Sequence, residues 1–219
     1  MNTYETFIKS HTVDGFSYNE DTREHFLNGK IIPSVSRVVE PLSFDYSKIH
    51  PITLKGKQDL GVQFHKLVEL YIRDDLENES EFIEEVPQLR LPFEAFKEYW
   101  LSVDKADDAI PLAVEQALCH PKLMYCGKPD YIKETATIDW KLRPYDPVCD
   151  PVRMAGYAGL VSDFPKKKLT VVSFDLKGNR KIHDAEKKGA WGMFRELLKH
   201  YWGEIEFTEL LENWRKSCQ

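Results

Sequence analysis

The sequence predicts an α/β protein in which helices flank a mixed central β-sheet. Three observations lead there. Apolar residues recur at helical spacing from Lys57 to about Arg73. Three extended stretches then crowd into residues 112–141, two of them joined by a turn short enough to pair them antiparallel. Beyond Pro151 the pattern alternates helix, strand, helix.

The elements follow in order. Glu24-His25-Phe26-Leu27 and Lys30-Ile31-Ile32 flank Asn28-Gly29, a pair suited to a two-residue hairpin turn. Pro33-Ser34-Val35-Ser36 follows, and Ser34 or Ser36 can cap a short helix through Val38 and Val39. Residues 41–54 hold two prolines among mixed residues and read as an irregular connection. The helix from Lys57 presents Leu60, Phe64, Leu67, Val68, Tyr71 and Ile72 on one face. Asp74 to Glu85 is strongly acidic and reads as a solvated helix end or loop. Pro92 suits the first turn of another helix carrying Phe93, Phe96, Trp100 and Leu101. The predicted strands are Leu112–Leu118, Lys122–Ile132 (interrupted by Gly127 and Pro129) and Ala136–Lys141. A helix after Pro151 carries Met154, Tyr157, Ala158 and Val161; a strand spans Leu169–Phe174; a last helix spans about His183–Tyr201. With no repeat or Gly/Ser linker, the chain reads as an N-terminal arm, residues 1–55, ahead of one core, residues 56–219.

Composition narrows the function. The chain has 219 residues, 42% of them hydrophobic and 12% aromatic, enough to bury a core without cross-links. No apolar run approaches the roughly 18–20 residues of a membrane span, and Met1-Asn2-Thr3-Tyr4-Glu5 lacks the features of a signal peptide. The expected location is therefore the cytoplasm, with no membrane partner. Cys119, Cys126, Cys149 and Cys218 contain no C-x-x-C pair, so reduced thiols are expected, and no iron–sulfur cluster. The net charge is −6, which argues against non-specific coating of nucleic acid. Residues 1–119 carry 12 Lys/Arg against 22 Asp/Glu, a balance of −10, and residues 120–219 carry 18 against 14, a balance of +4. A local basic groove beside an acidic site remains compatible with that asymmetry.

The chemistry concentrates in Gly127-Lys128-Pro129-Asp130 and Asp139-Trp140-Lys141. Strand alternation puts Asp139 and Lys141 on one face and Trp140 on the other, and the neighbouring strand can bring Asp130 to the first face. Two carboxylates beside an amine suit a hard divalent cation that holds water and phosphate together. Lys141 would orient or help deprotonate that water. His65 and Glu69, four residues apart, project from one helix face and can add to a metal site. Glu115 is a third carboxylate candidate.

In this order and spacing the residues resemble the PD-(D/E)XK nuclease superfamily, particularly its RecB-type exonuclease branch. Gly61, His65 and Glu69 match G-x-x-x-H-x-x-x-E; Glu115 precedes a G-x-x-D strand, matched by Gly127 and Asp130; Asp139 and Lys141 match D-x-K. Ile32-Pro33-Ser34-Val35-Ser36 is similar to the P-S-V-T segment of phage-encoded relatives and of the mitochondrial genome-maintenance exonuclease. The likeness spans about Leu27 to Tyr201. It implies a restriction-endonuclease-like core and Mg²⁺- or Mn²⁺-dependent cleavage of DNA in recombination, repair or phage DNA processing, in a bacterial or phage-infected cell. By resemblance, His65, Asp130 and Asp139 would contact metal, Lys141 would serve catalysis, and Glu69 and Glu115 would support the site. The branch expects a helix with Q-x-x-x-Y, and here Arg153 stands four residues before Tyr157. Arg153 can contact phosphate more strongly than glutamine, or pair with a site carboxylate and disturb metal binding.

The DNA partner would be single-stranded or carry a free end. Arg143, Arg153 and the run Lys166-Lys167-Lys168 are candidates for the backbone, with Lys177, Arg180 and Lys181 about the turn at Gly178-Asn179. Tyr145, Tyr157 and Trp140 are candidates for stacking on unpaired bases. No recognition helix or zinc-finger spacing points to sequence-specific readout. Three readings follow: an exonuclease, a flap or junction endonuclease on the same fold, and a catalytically silent DNA-binding subunit. A single-strand annealing or other recombination protein is a partner by family analogy alone.

Overall fold

Asn28 and Gly29 take positive φ of 52° and 76°, the backbone a two-residue hairpin turn requires. They join β2 (Glu24–Leu27) to β3 (Lys30–Ile32), and β1 (Phe16–Asn19) completes a small antiparallel sheet. The computed structural model describes residues 12–104, 111–161, 168–203 and 214–218. Ser34 caps α1 (Val35–Val38) by accepting the Arg37 N–H at 3.2 Å. Val35, Val38, Val39 and Leu42 are buried in the main core, so residues 35–42 of the segment read as an arm pack into the body.

The amphipathic helix, α2 (Pro51–Arg73), starts six residues earlier than its apolar pattern indicates, with Pro51 in its first turn. Its early turns are largely exposed, and Phe64, Leu67 and Val68 are its buried residues. The acidic stretch is not all loop. It contains α3 (Glu79–Glu85), where the Asn78 side chain accepts the Glu81 N–H and two glutamates suit the positive end of the helix dipole. α4 (Arg90–Tyr99) follows, burying Phe93, Phe96 and Tyr99.

Two strand expectations and one helix boundary need correcting. Leu112–Leu118 is two short strands in different sheets, β4 (Ala113–Val114) and β5 (Leu118–His120), because Glu115 adopts a left-handed φ of 47° and breaks the extension. Lys122–Ile132 likewise divides into β6 (Tyr125–Gly127) and β7 (Tyr131–Ile132) around Lys128-Pro129. The last helix does not begin at His183. Residues Arg180–Asp184 form β10, hairpin-paired to β9 (Lys168–Phe174), and the helix is α6 (Ala190–Tyr201).

The central sheet runs β10-β9-β8-β7-β4, with β8 spanning Ala136–Lys141. β8 and β9 are parallel, joined through α5 (Asp150–Gly159), and the other pairs are antiparallel. Alternation sorts the two faces. Ala136, Ile138, Trp140, Val172 and Phe174 pack with α2 and α4 in one core, while Leu169 and Val171 pack with α5 and α6 in the other. The molecule is therefore of α/β class, with a mixed sheet between helical layers. No helix among the described residues is long and apolar enough to cross a membrane.

Candidate metal centre

Asp130 lies immediately before β7, where the pairing of β7 with β8 brings it beside the D-x-K strand. Its Oδ2 accepts the backbone N–H of Trp140 at 2.6 Å. That bond fixes one carboxylate oxygen and leaves Oδ1 to face α2, where His65 Nδ1 stands 3.4 Å away. Glu115 reaches the same point from the end of β4. Its N–H donates to the Asp130 carbonyl at 3.0 Å, and its Oε1 is 3.3 Å from His65 Nδ1. Its other oxygen is 3.4 Å from Lys128 Nζ. A non-glycine residue at positive φ is strained, and here that conformation turns the Glu115 side chain into the cluster.

One donor atom each from His65, Glu115 and Asp130 lies within 4.8 Å of the others. Imidazole and carboxylate together can hold a metal ion. The arrangement differs from the expected ligand set of His65, Asp130 and Asp139: Glu115 joins the group, and Asp139 stands beside it. Asp139 and Lys141 share a face, as the alternation requires, with Lys141 Nζ 2.6 Å from Asp139 Oδ2. Asp139 is 1% exposed, and neither of its oxygens receives a well-formed hydrogen bond from a described residue. A buried carboxylate in that state is costly, and a cation bound here would offset the cost.

Charge interactions bind these groups into one system. Burial pushes the Asp139 carboxyl up, Lys141 opposes the rise, and Asp130 adds to it. Burial alone would pull the His65 imidazole down. The neighbouring Asp130 carboxylate, with hydrogen bonds to Asp130 and Glu115, instead carries it to about 10, so the metal-free site holds an imidazolium.

Glu69 does not join the cluster. Although four residues from His65, it pairs with Arg73 at 3.1 Å and Lys66 at 3.4 Å. Arg73 also donates to the Val114 carbonyl at 2.7 Å, so Glu69 and Arg73 pin the strand that delivers Glu115. Glu69 is a positioning residue in this arrangement.

The expected DNA contacts also shift. Arg143 holds the buried Asp150 carboxylate at 2.5 and 3.0 Å, and Arg153 holds it at 3.1 Å. Both guanidinium groups anchor the start of α5. Arg153 makes its ion pair with Asp150 and not with a site acid, although its charge lowers the Asp139 carboxyl from a distance. Tyr157 is buried beside Asp139 and Arg153 and hydrogen-bonds Ser36; burial and the Asp139 charge raise its hydroxyl. Its ring lies so close to Gly127 that a Cβ there would sit 2.9 Å from Tyr157 Cε1. Lys168 pairs with Ala136, five residues from Lys141 and roughly 17 Å along the strand, which places it away from the centre. Lys166 and Lys167 lie outside the described residues. Trp140 is buried in the core and offers no stacking face.

No family model matches this chain, and no curated protein matches it. The roles of Arg73 and Lys128 were missed in the sequence. Lys128 sits inside the G-x-x-D segment, two residues before Asp130, and that position was its one available signal.

Proposed function

We propose that this chain is a metal-dependent nuclease with a restriction-endonuclease-like core, acting as an exonuclease on DNA. The observation that carries the reading is the convergence of Asp130, Asp139 and Lys141, from one β-hairpin, with Glu115 and the helical His65. The α/β order of elements supports it as well: α2, the antiparallel run β4-β7-β8, the α5 crossover and the parallel β9 are compatible with the core that the D-x-K resemblance implies.

His65, Glu115 and Asp130 would hold Mg²⁺ or Mn²⁺, with Asp139 closing the site from the sheet. Carboxylates are the hard donors both ions favour, and the imidazole suits Mn²⁺ best. The bound ion supplies Lewis acidity and lowers the pKa of a coordinated water. Lys141, 14% exposed at the side chain, would offset charge developing on a phosphate at the mouth of the site. Asp139 holds that ammonium in position, and Lys128 performs the same service for Glu115.

The test is digestion of end-labelled linear and covalently closed circular DNA with Mn²⁺. Linear DNA is degraded from its ends and circles survive. Asp139→Asn and Lys141→Ala abolish the activity while circular dichroism shows a retained fold. Cleavage of circles would transfer the assignment to an endonuclease, and full activity in either variant would remove the nuclease reading.

A further inference from the structure

The proposed centre leaves several polar groups on its face of the sheet without a role. Pairing sets Lys141 opposite Ser173 and Ser173 opposite Lys181; directly paired residues share a face. A row therefore runs from Lys141 across β9 to β10. Ser173 is buried, and its Oγ is 3.0 Å from His183 Nε2. The Tyr145 ring lies parallel to the His183 ring, with centroids 4.4 Å apart and planes 7° from coplanar. Tyr145 comes from the loop between Lys141 and α5. Lys181 is exposed and has no carboxylate partner among the described residues. Its neighbour Arg180 points to the opposite face, donating to the Ala95 carbonyl at 3.1 Å.

We propose that Tyr145, Ser173, His183 and Lys181 form a nucleotide subsite for an unpaired strand beside the reacting centre. Two strand spacings put Lys181 about 10 Å from Lys141, a distance suited to a phosphate one or two nucleotides from the one being cleaved. The Tyr145–His183 stack offers a flat surface to an unpaired base. Ser173, anchored on His183 Nε2, fixes the imidazole plane and is a positioning residue. Burial and the Lys181 charge lower the His183 imidazole, against a smaller opposing pull from Asp150, and the exposed Lys181 is the group assigned to phosphate. The subsite rests on the nuclease reading and adds a preference for single strands.

The experiment is fluorescence anisotropy of a labelled single-stranded oligonucleotide in EDTA, repeated with one abasic unit moved along the strand. Wild type should lose affinity by at least about 5-fold at one or two positions. Tyr145→Leu and His183→Asn should weaken the intact strand similarly and flatten the abasic scan. Lys181→Ala should reduce the slope of log K against log salt by about 0.7; exposed as it is, this variant keeps the test valid if the others misfold. An abasic scan identical in wild type and variants, with an unchanged salt slope, overturns the subsite. Mn²⁺-dependent cleavage of the same oligonucleotide separates the two claims. Cleavage with a flat scan removes the subsite alone, and neither binding nor cleavage by wild type removes the nuclease reading with it.

Discussion

Replacing Asp139 by Asn separates what the site does for chemistry from what it does to the fold. The carboxylate is buried, lacks well-formed hydrogen bonds among the described residues, and has Lys141 Nζ at 2.6 Å as its compensating contact. Burial raises its pKa from 3.8 to about 6. Because the folded value lies above the unfolded one, the protonated group favours the fold, and that contribution is lost as pH climbs from about 3.8 through about 6. The gap corresponds to roughly 3 kcal/mol against the fold at pH 7.5. Asparagine keeps the shape without the charge, and Lys141 can turn its ammonium to water. Metal-free Asp139→Asn is therefore expected to exceed wild type in stability by about 1–3 kcal/mol at pH 7.5, raising Tm by about 3–8 °C. At pH 4 the two should melt together, since the wild-type carboxyl is protonated there. Calorimetric melts at pH 4, 6 and 7.5 provide the assay. A variant less stable at pH 7.5, or a gap unchanged between pH 4 and 7.5, would refute the reasoning.

Other consequences concern the metal, the glycine and the anchor of α5. His65 carries a proton up to about pH 10 without metal, so Mn²⁺ binding at pH 7.5 should release about one proton per ion. Titration calorimetry in buffers of different ionisation enthalpy reads this directly, and zero release would remove His65 from the ligand set. Gly127→Ala forces a methyl to 2.9 Å from Tyr157 and 3.0 Å from Leu160, a destabilisation of about 1–3 kcal/mol in urea unfolding; a neutral result would show that Tyr157 gives way. Asp150→Asn weakens the anchor shared by Arg143 and Arg153 inside the protein, with an expected loss of about 3–5 kcal/mol. Burial alone would raise the Asp150 carboxyl, but Arg143 and Arg153 hold it below 3.8. In wild type that stabilisation is present above pH 3.8 and fades as acid protonates the group, which chemical unfolding between pH 2 and 6 should show.

Much of the fold was legible because local and global signals agreed. Asn28-Gly29 specified its turn, Ser34 its cap, and the Phe64-Leu67-Val68 stripe its buried face. The D-x-K strand could be read to the level of which side chain faces which layer, since Trp140 must enter the core for Asp139 and Lys141 to meet. The failures have physical causes. Glu115 breaks its strand through a left-handed backbone that composition does not announce. Lys181-Ile182-His183 alternates as a strand should, but the helical residues after Gly189 masked it. At the site, the i, i+4 spacing correctly put His65 and Glu69 on one side of α2. It could not show that Arg73, four residues further on, would claim Glu69. Arg143 and Arg153 were read as DNA contacts from their places after the D-x-K strand and on the next helix, and nothing in the local pattern showed that both would hold Asp150.

Anomalous diffraction from crystals soaked in MnCl₂ tests the metal centre most directly. A single strong peak is expected about 2.0–2.3 Å from donor atoms of His65, Glu115 and Asp130, with Asp139 turned toward it. Absence of a peak there at saturating Mn²⁺, with His65 Nδ1 still beside both carboxylates, would contradict the metal centre and the hydrolysis built on it.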